Sequence, residues 1–290
     1  MIKNLLYTLY TLLSILKCRS FLNIPLHKES THGKCVVIGA GPSLQETLSM
    51  SGNLIDDIPK MCVNDMVLSD EYESFKPQYY ILLDPIYFSD DLSDNLRTIK
   101  NKLMDEMITK TKWNMTLYLP WSSREDNELQ KICSDNSLIK IEYFNSNVVR
   151  GFKQFKFLLM KMNLGMIQAQ NVLVAALFIA LNIGYKEIYL LGADHSWHET
   201  ITLNKENQVC VKQIHYYDDD KLRHRPFYKN PEETETFTMD ELFMAWSLVF
   251  KGYHNLKQYA FYLNARIINI STKTYIDAFD RIDLKSLPKH

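Results

Sequence analysis

Short apolar runs alternate with helix-compatible segments along most of the chain from residue 34 onward. The run KCVVIGA at 34–40 is followed by PSLQE, whose serine and early acidic residue favour the start of a helix. Further predicted strands are KMCVND at 60–65, QYYILLDP at 78–85, MTLYLPW at 115–121, LIKIEYF at 138–144, KEIYLLGAD at 186–194 and ARIINIS at 265–271. This alternation predicts an α/β fold: a Rossmann-like, mainly parallel sheet with helices on both faces.

Two long helices are predicted in the second half of the chain. The segment GMIQAQNVLVAALFIALNI at 165–183 is apolar on all sides, so we expect a buried helix. Residues 237–264 form an amphipathic pattern, and Gly252 suggests a break within it. The stretch TYIDAFDRIDLKSL at 274–287 then closes the fold.

Residues 196–237 interrupt the alternation with a polar, charged and aromatic stretch of little periodicity. A connection of this length within a compact domain is usually functional or disordered. We therefore predict one Rossmann-like nucleotide-binding domain over 34–290, with an active-site lid inserted at 196–237.

The first 26 residues have a different character. The chain is apolar from Leu5 to Leu16, with Lys3 before this run and Lys17 after it. Polar residues at helical spacing form one narrow stripe: Asn4, Thr8, Thr11 and Ser14. The run is short for a membrane span, and no small-x-small cleavage motif follows it. We predict an amphipathic helix that lies on the membrane surface through residues 1–20; a helix packed on the protein's own core is the alternative.

Composition narrows the classes of partner and compartment. Lys plus Arg number 33 and Asp plus Glu number 34, so the chain lacks the basic bias of a nucleic-acid-binding protein. The 5 cysteines contain no CxxC pair, which argues against a zinc knuckle or a disulfide framework. A reducing compartment fits this pattern, and we expect a cytoplasmic protein peripherally associated with the inner membrane.

Small and polar residues follow the predicted strands, where open parallel sheets bind ligands. The candidate nucleotide-binding residues are Gly39, Ala40, Gly41, Pro42, Ser43, Asn64, Asp84 and Gly192. Glycines let backbone amides approach a phosphate at a helix N-terminus. The third glycine of the dinucleotide fingerprint is missing, so the turn favours a single nucleotide phosphate over a nicotinamide or flavin dinucleotide.

Candidate catalytic residues follow the strand at 186–194 and lie in the insert: Asp194, His195 and His224. A histidine at a strand end is suited to proton transfer. Arg223 and Arg225 flank His224 and are candidates to contact an anionic donor or acceptor. The Asp218–Asp220 run resembles a metal-binding acidic motif, but its polar setting favours a solvated charge run. No metal ligands are assigned.

The motifs VVIGAGPSL and VAALFIALNIGYKEIYLLGAD resemble two related families. One comprises the bacterial sialyltransferases of lipooligosaccharide, and the other is typified by the archaeal 6-hydroxymethyl-dihydropterin pyrophosphokinase. The second match spans residues 34–48 and 165–194. The sialyltransferase resemblance implies a CMP-sugar donor, no metal and a histidine base. It places Gly39, Gly41, Pro42 and Ser43 in the nucleotide turn, Asn64 on the nucleotide, and Gly192 and Asp194 at the late strand end.

Some positions depart from the sialyltransferase pattern. Ala40 and Asp84 stand where those enzymes carry asparagines, and the segment EETETFTMDEL lacks their histidine base. His195 and His224 are then the candidate bases.

Three hypotheses follow. The first is a membrane-associated glycosyltransferase that uses a nucleotide-activated sugar, CMP-sugars among them, and a glycan or lipid-linked acceptor in surface polysaccharide or lipooligosaccharide biosynthesis. It requires no cofactor. The second is a magnesium-dependent pyrophosphokinase, with Asp84, Asp194 and Asp218–Asp220 as candidate ligands. The third is a nucleotide-binding protein without catalysis.

Overall fold

The computed structural model describes residues 1–22, 26, 33–51, 55–212 and 224–282. Its strands are β1 Lys34–Ile38, β2 Lys60–Val63, β3 Tyr79–Ile81, β4 Met115–Pro120, β5 Ile139–Phe144, β6 Glu187–Leu191, β7 Thr202–Leu203, β8 Val209–Val211, β9 Arg225–Pro226, β10 Arg266–Asn269 and β11 Asp280–Arg281. Eight of them form one sheet in the order β11-β10-β6-β1-β2-β3-β4-β5. Every pairing in this sheet is parallel, so the predicted α/β, Rossmann-like fold is confirmed.

Helices cover both faces of the sheet. They are α1 Ile2–Lys17, α2 Leu44–Ser51, α3 Tyr72–Phe75, α4 Asp94–Lys110, α5 Asn127–Asp135, α6 Lys153–Lys161, α7 Val172–Ile183 and α8 Met239–Tyr262. Neighbouring strand residues enter opposite cores: Val37 packs in the cluster that contains α7, and Val36 packs in the cluster on the other face. A strand buried on both faces is apolar at every position, which explains the continuous apolar runs of the sequence.

The buried helix α7 is shorter than the pattern at 165–183 suggested. It begins at Val172, where the Asn171 side chain accepts a hydrogen bond from the Leu173 amide at 2.8 Å. Residues before the cap are not helical, and Met166 forms a parallel bridge with Val148. The prediction missed this start because Met166, Ile167 and Ala169 extend the apolar pattern toward residue 165.

The expected helix break at Gly252 is wrong, because α8 runs without interruption from Met239 to Tyr262. Gly252 is buried at the crossing with α7, where an added Cβ would lie 3.3 Å from a methyl group of Val174. The glycine therefore serves close packing of two helices.

The described part of the insert is folded. Strands β7, β8 and β9 form an antiparallel sheet in that order. Val209 and Val211 of this sheet pack on Leu242 of α8, with Phe227 and Trp246 around them. Short strands of this kind escaped the sequence prediction because each contributes few apolar side chains.

Helix α1 contacts the protein through its polar stripe. Thr11 is 1% exposed; its hydroxyl donates to the Arg150 carbonyl at 3.0 Å and accepts from the Arg150 amide at 2.9 Å. The leucines point away from the protein, and Leu6, Leu13 and Leu16 are each at least 60% exposed. Helix α1 therefore rests on the protein, and Thr11 and Ile15 are its buried residues. Across the described residues, no helix combines the length and hydropathy needed to cross a bilayer.

Candidate functional site

A cavity of about 520 Å³ lies at the carboxyl edge of the sheet, where the strand order reverses. The chain builds outward from β1 through β2 to β5, and then places β6 on the other side of β1. Such a switch point leaves a crevice between the two loops that follow the adjacent strands. The lining includes nine of the predicted site residues: Gly39, Ala40, Gly41, Pro42, Asn64, Asp84, Gly192, Asp194 and His195.

The glycines after β1 and β6 bring these two loops into contact with each other. A Cβ on Gly192, whose φ is +62°, would lie 2.3 Å from the Gly39 carbonyl oxygen. A Cβ on Gly41 would lie 2.3 Å from Asp194 Oδ1. Real Cβ atoms do not approach other atoms so closely, so the loop contact itself requires glycine. Phosphate binding is not needed to explain these residues.

Asp194 holds the turn after β1. Its Oδ1 accepts from the Ser43 hydroxyl at 2.7 Å, and its Oδ2 accepts from the Ser43 amide at 3.0 Å. The carboxyl is 2% exposed. Burial raises the pKa of Asp194, and the two Ser43 hydrogen bonds oppose that rise. Asp194 therefore stabilises the start of α2, whereas Ser43 lies behind the cavity lining.

Most amides of the turn are already bonded within the protein. The Gly39 amide donates to the Leu191 carbonyl at 2.8 Å, and the Gly41 amide donates to the Gly192 carbonyl at 2.9 Å. The Ala40 amide makes no hydrogen bond to any described residue. A phosphate in the cavity would find its donor at Ala40.

His195 follows Asp194 in a left-handed backbone conformation, with φ +55°. Its Nε2 is 2.7 Å from the Tyr253 hydroxyl, and its ring packs 4.3 Å from the Trp197 ring. Burial lowers the pKa of His195 from 6.5 to about 3. The imidazole is thus neutral at physiological pH and a weak base, which suits it better to positioning than to proton abstraction.

Asp84 is the most exposed of the three carboxyl residues that line the cavity. Its Oδ1 accepts from the Ile86 amide at 3.2 Å at the start of the Pro85–Tyr87 turn. The cavity walls raise the pKa of Asp84, the Ile86 amide opposes the rise, and the neighbouring Asp65 charge adds to it. A carboxyl with a raised pKa is a better proton acceptor while ionised.

Asn64 and Asp65 lie beside Asp84 at the end of β2. Asn64 has φ +44°, and its Oδ1 is 3.5 Å from the Leu83 amide. Asp65 accepts a hydrogen bond from the Tyr87 hydroxyl at 2.5 Å. Both side chains are partly exposed and within the lining, so an amide and a carboxylate face the same space.

Several lining residues escaped the sequence prediction. The segment before α7 contributes Gln170 and Asn171, and the insert contributes Trp197 and Lys212. Trp246 of α8 lies 5.9 Å from Trp197, ring to ring. The polar pair Gln170 and Asn171, directly before the mainly apolar helix α7, was a usable signal, because the N-terminus of this helix also opens on the cavity.

Other predicted residues lie elsewhere. His224 and Arg225 are exposed and absent from the cavity lining. Arg223 and Asp218–Asp220 lie outside the described residues. Among the side chains that the structure describes, no group of three or more His, Cys, Asp or Glu is arranged to hold a metal ion.

The sequence matches no family model and no curated protein. Its fold is similar to a solved structure, the MAf glycosyltransferase from Magnetospirillum magneticum AMB-1. The sequences are 12% identical over the superposition, and the TM-score is 0.51. The superposition covers 94% of this chain and 38% of that chain, so this chain spans well under half of its neighbour's length. At this identity the likeness establishes a shared fold.

The arrangement has the parts of a ligand site in which a proton can be transferred. The N-terminus of α7 and the Ala40 amide offer positive potential, and Lys212 adds a cation at the wall. Trp197, Trp246 and Phe227 provide aromatic surface. The volume of about 520 Å³ lies within the range of sites for small molecules and cofactors.

Proposed function

We propose that this protein is a glycosyltransferase that binds a nucleotide-activated sugar in the cavity at the switch point of the sheet. The observation that carries the proposal is the position of Asp84, a carboxyl with a raised pKa that is open to the cavity shared by Ala40 and Lys212. The glycosyltransferase fold neighbour supports the same class of reaction.

In the proposed reaction, Asp84 accepts the proton of an acceptor hydroxyl. The acceptor oxygen forms a bond to the anomeric carbon of the donor as the bond from that carbon to the phosphate oxygen breaks. The electron pair of the broken bond remains on the nucleotide phosphate, which the Ala40 amide and Lys212 stabilise. Asp84 replaces His195 as the proposed base. The Nε2 atom of His195 is hydrogen-bonded to the Tyr253 hydroxyl, and burial lowers the pKa of His195 to about 3.

The same proposal includes the donor contacts, the acceptor and the location of the protein. Asn64 and Asn171 contact the nucleotide or the sugar through their amide groups, and CMP-sugars are one donor class. The acceptor is a glycan or a lipid-linked glycan of surface polysaccharide or lipooligosaccharide. We place the protein on the cytoplasmic face of the inner membrane, with the exposed leucines of α1 as the contact surface.

The alternative of a magnesium-dependent pyrophosphokinase uses the same cavity. In this alternative, Asp65 and Asp84 lie side by side as candidate magnesium ligands. The carboxylate of Asp194, in contrast, already accepts two hydrogen bonds from Ser43. Nucleotide release separates the two reactions. The purified protein is incubated with CMP-, UDP- and GDP-sugars and with ATP, with and without EDTA.

The glycosyltransferase proposal expects a nucleoside phosphate to be released from one sugar donor. Asp84→Asn should abolish release while keeping donor affinity within about threefold, because the side chain's volume and hydrogen-bonding reach are retained. Asp91→Asn changes an exposed carboxyl outside the cavity lining and is the matched control. AMP release from ATP only with magnesium would move the assignment to pyrophosphoryl transfer. Absence of binding to every nucleotide, measured by calorimetry, would overturn both.

A further inference from the structure

A second cavity, of about 430 Å³, lies beneath α1 and away from the switch point. Its wall combines the start of α1 with the loop at 148–151, one side of α6 and the middle of α8. Four basic residues from these elements line it: Lys3, Arg150, Lys156 and Lys251. The other polar lining groups are the amides of Asn4, Gln168 and Asn255 and the Tyr7 hydroxyl, and the lining contains no carboxylate.

The basic groups lack counter-charges within the part of the chain that the structure describes. None of the four forms an ion pair with a described carboxylate. Lys156 is half-buried, and its pKa is lowered by burial and by the charges of Lys153 and Lys251. Like charges gathered in a concave, partly desolvated space repel one another, so an anion bound there would stabilise the protein.

The apolar face of α1 borders this cavity. Lys3, Asn4 and Tyr7 of α1 line it, and Leu5, Leu6 and Leu9 of the same turns are 49% to 60% exposed. Thr8 and Thr11 fix the orientation, because Thr8 Oγ1 accepts from the Phe152 amide at 3.3 Å and Thr11 bonds the Arg150 backbone. Helix α1 therefore holds the basic cavity and the apolar surface side by side.

We propose that this cavity binds the phosphate of an anionic phospholipid headgroup while the leucines of α1 enter the edge of the acyl region. The arrangement has both features of an interfacial anchor: apolar surface for the membrane and cations for its headgroups. Charge complementarity selects the occupant, since a lipid phosphate supplies an anion beside the exposed leucines that the proposed function places against the membrane. The inference deepens the membrane contact of the proposed function and is independent of the donor chemistry.

The test is cosedimentation of the full chain with vesicles of phosphatidylcholine alone or with about 30 mol% phosphatidylglycerol. We expect binding only to the anionic vesicles. The double variant Lys156→Gln, Lys251→Gln should weaken it about 25-fold, since each lysine near an anionic surface contributes about fivefold. Lys102→Gln, Lys205→Gln removes the same net charge from exposed positions outside the cavity and should leave binding nearly unchanged.

A variant of an exposed leucine and a thermal melt with inorganic phosphate complete the vesicle experiment. Leu6→Ser should weaken vesicle binding without changing the stabilisation by inorganic phosphate in a thermal melt. Equal losses in both double variants would overturn the proposal in favour of general electrostatic attraction. Phosphate stabilisation that is lost in the cavity variant, without vesicle binding by the wild type, would assign a free phosphate instead of a lipid. Vesicle binding requires no turnover, so a negative result here leaves the glycosyltransferase proposal standing, and the reverse also holds.

Discussion

The carboxylate of Asp194 binds both the hydroxyl and the backbone amide of Ser43, at 2.7 Å and 3.0 Å. The two residues are 151 positions apart, and their contact joins the loop after β6 to the start of α2. A carboxylate at the positive end of a helix stabilises that helix, and at the start of α2 this carboxylate is a side chain of the protein. The turn after β1 is thus built around an internal anion.

Replacing Ser43 with alanine should destabilise the protein by about 1–2 kcal/mol near neutral pH, because a hydrogen bond to a buried carboxylate is lost. That bond favours the ionised form of Asp194, whose pKa is raised. As the pH falls through that raised pKa, the carboxyl becomes protonated and the bond weakens. The difference between wild type and Ser43→Ala should therefore shrink at about pH 4.

Urea unfolding at the two pH values measures this difference. Ser49→Ala is the matched control, because Ser49 is exposed in α2 and its hydroxyl donates to the Glu46 carbonyl of the same helix. A Ser43→Ala loss that is the same at both pH values would show that the Asp194 charge is not the partner.

His195 should make the protein less stable in mild acid. Its pKa is about 3 in the folded chain and near 6.5 when unfolded, so below pH 6.5 only the unfolded chain takes up the proton. Stability then falls as the pH drops, by about 2 kcal/mol between pH 7 and pH 5 from this residue. His195→Gln cannot be protonated and keeps a polar group toward Tyr253.

The measurement compares the change in unfolding free energy between those pH values in wild type and in His195→Gln. We expect the variant to lose about 2 kcal/mol less than the wild type. His198→Gln alters an exposed histidine and should follow the wild type. Identical pH dependence in all three proteins would refute the burial of a neutral His195.

Gly192→Ala should cost at least about 3 kcal/mol, because the new methyl group meets the Gly39 carbonyl oxygen and the backbone is left-handed. Gly252→Ala offers a contrast within the same protein. Its Cβ would be 3.3 Å from a Val174 methyl group, and alanine is the better helix former, so we expect a change within about 1 kcal/mol. Chemical unfolding of both variants checks the order, and a Gly192→Ala protein as stable as Gly252→Ala would contradict the loop contact.

Lys212→Ala should raise the Kd for the nucleotide donor about tenfold, because a charge-assisted hydrogen bond to phosphate is removed. The affinity of the variant should also depend less on salt. Lys205→Ala removes an exposed lysine of the same insert that does not line the cavity. Calorimetric titrations at low and moderate ionic strength test both statements. If the two variants weaken binding equally, Lys212 does not contact the donor.

The sequence by itself determined the class of the fold. Strand runs such as KCVVIGA are apolar at every position because both faces of the sheet are covered, and this property is local to the run. The ends of these runs also identified the edge of the sheet where the cavity lies, since small and polar residues follow β1, β2 and β6. Local patterns also predicted α1 and its polar stripe.

Tertiary structure alone decided how those residues are used. Gly39 and Gly192 allow two loops to contact each other. Asp194 accepts hydrogen bonds from Ser43, and His195 is a buried, neutral hydrogen-bond partner of Tyr253. The polar stripe of α1 faces the protein and its leucines face outward. Each of these outcomes depends on atoms that are far apart in the chain and meet only after folding. Burial and pairing then set the pKa and the accessibility of a side chain, and a sequence pattern does not contain either.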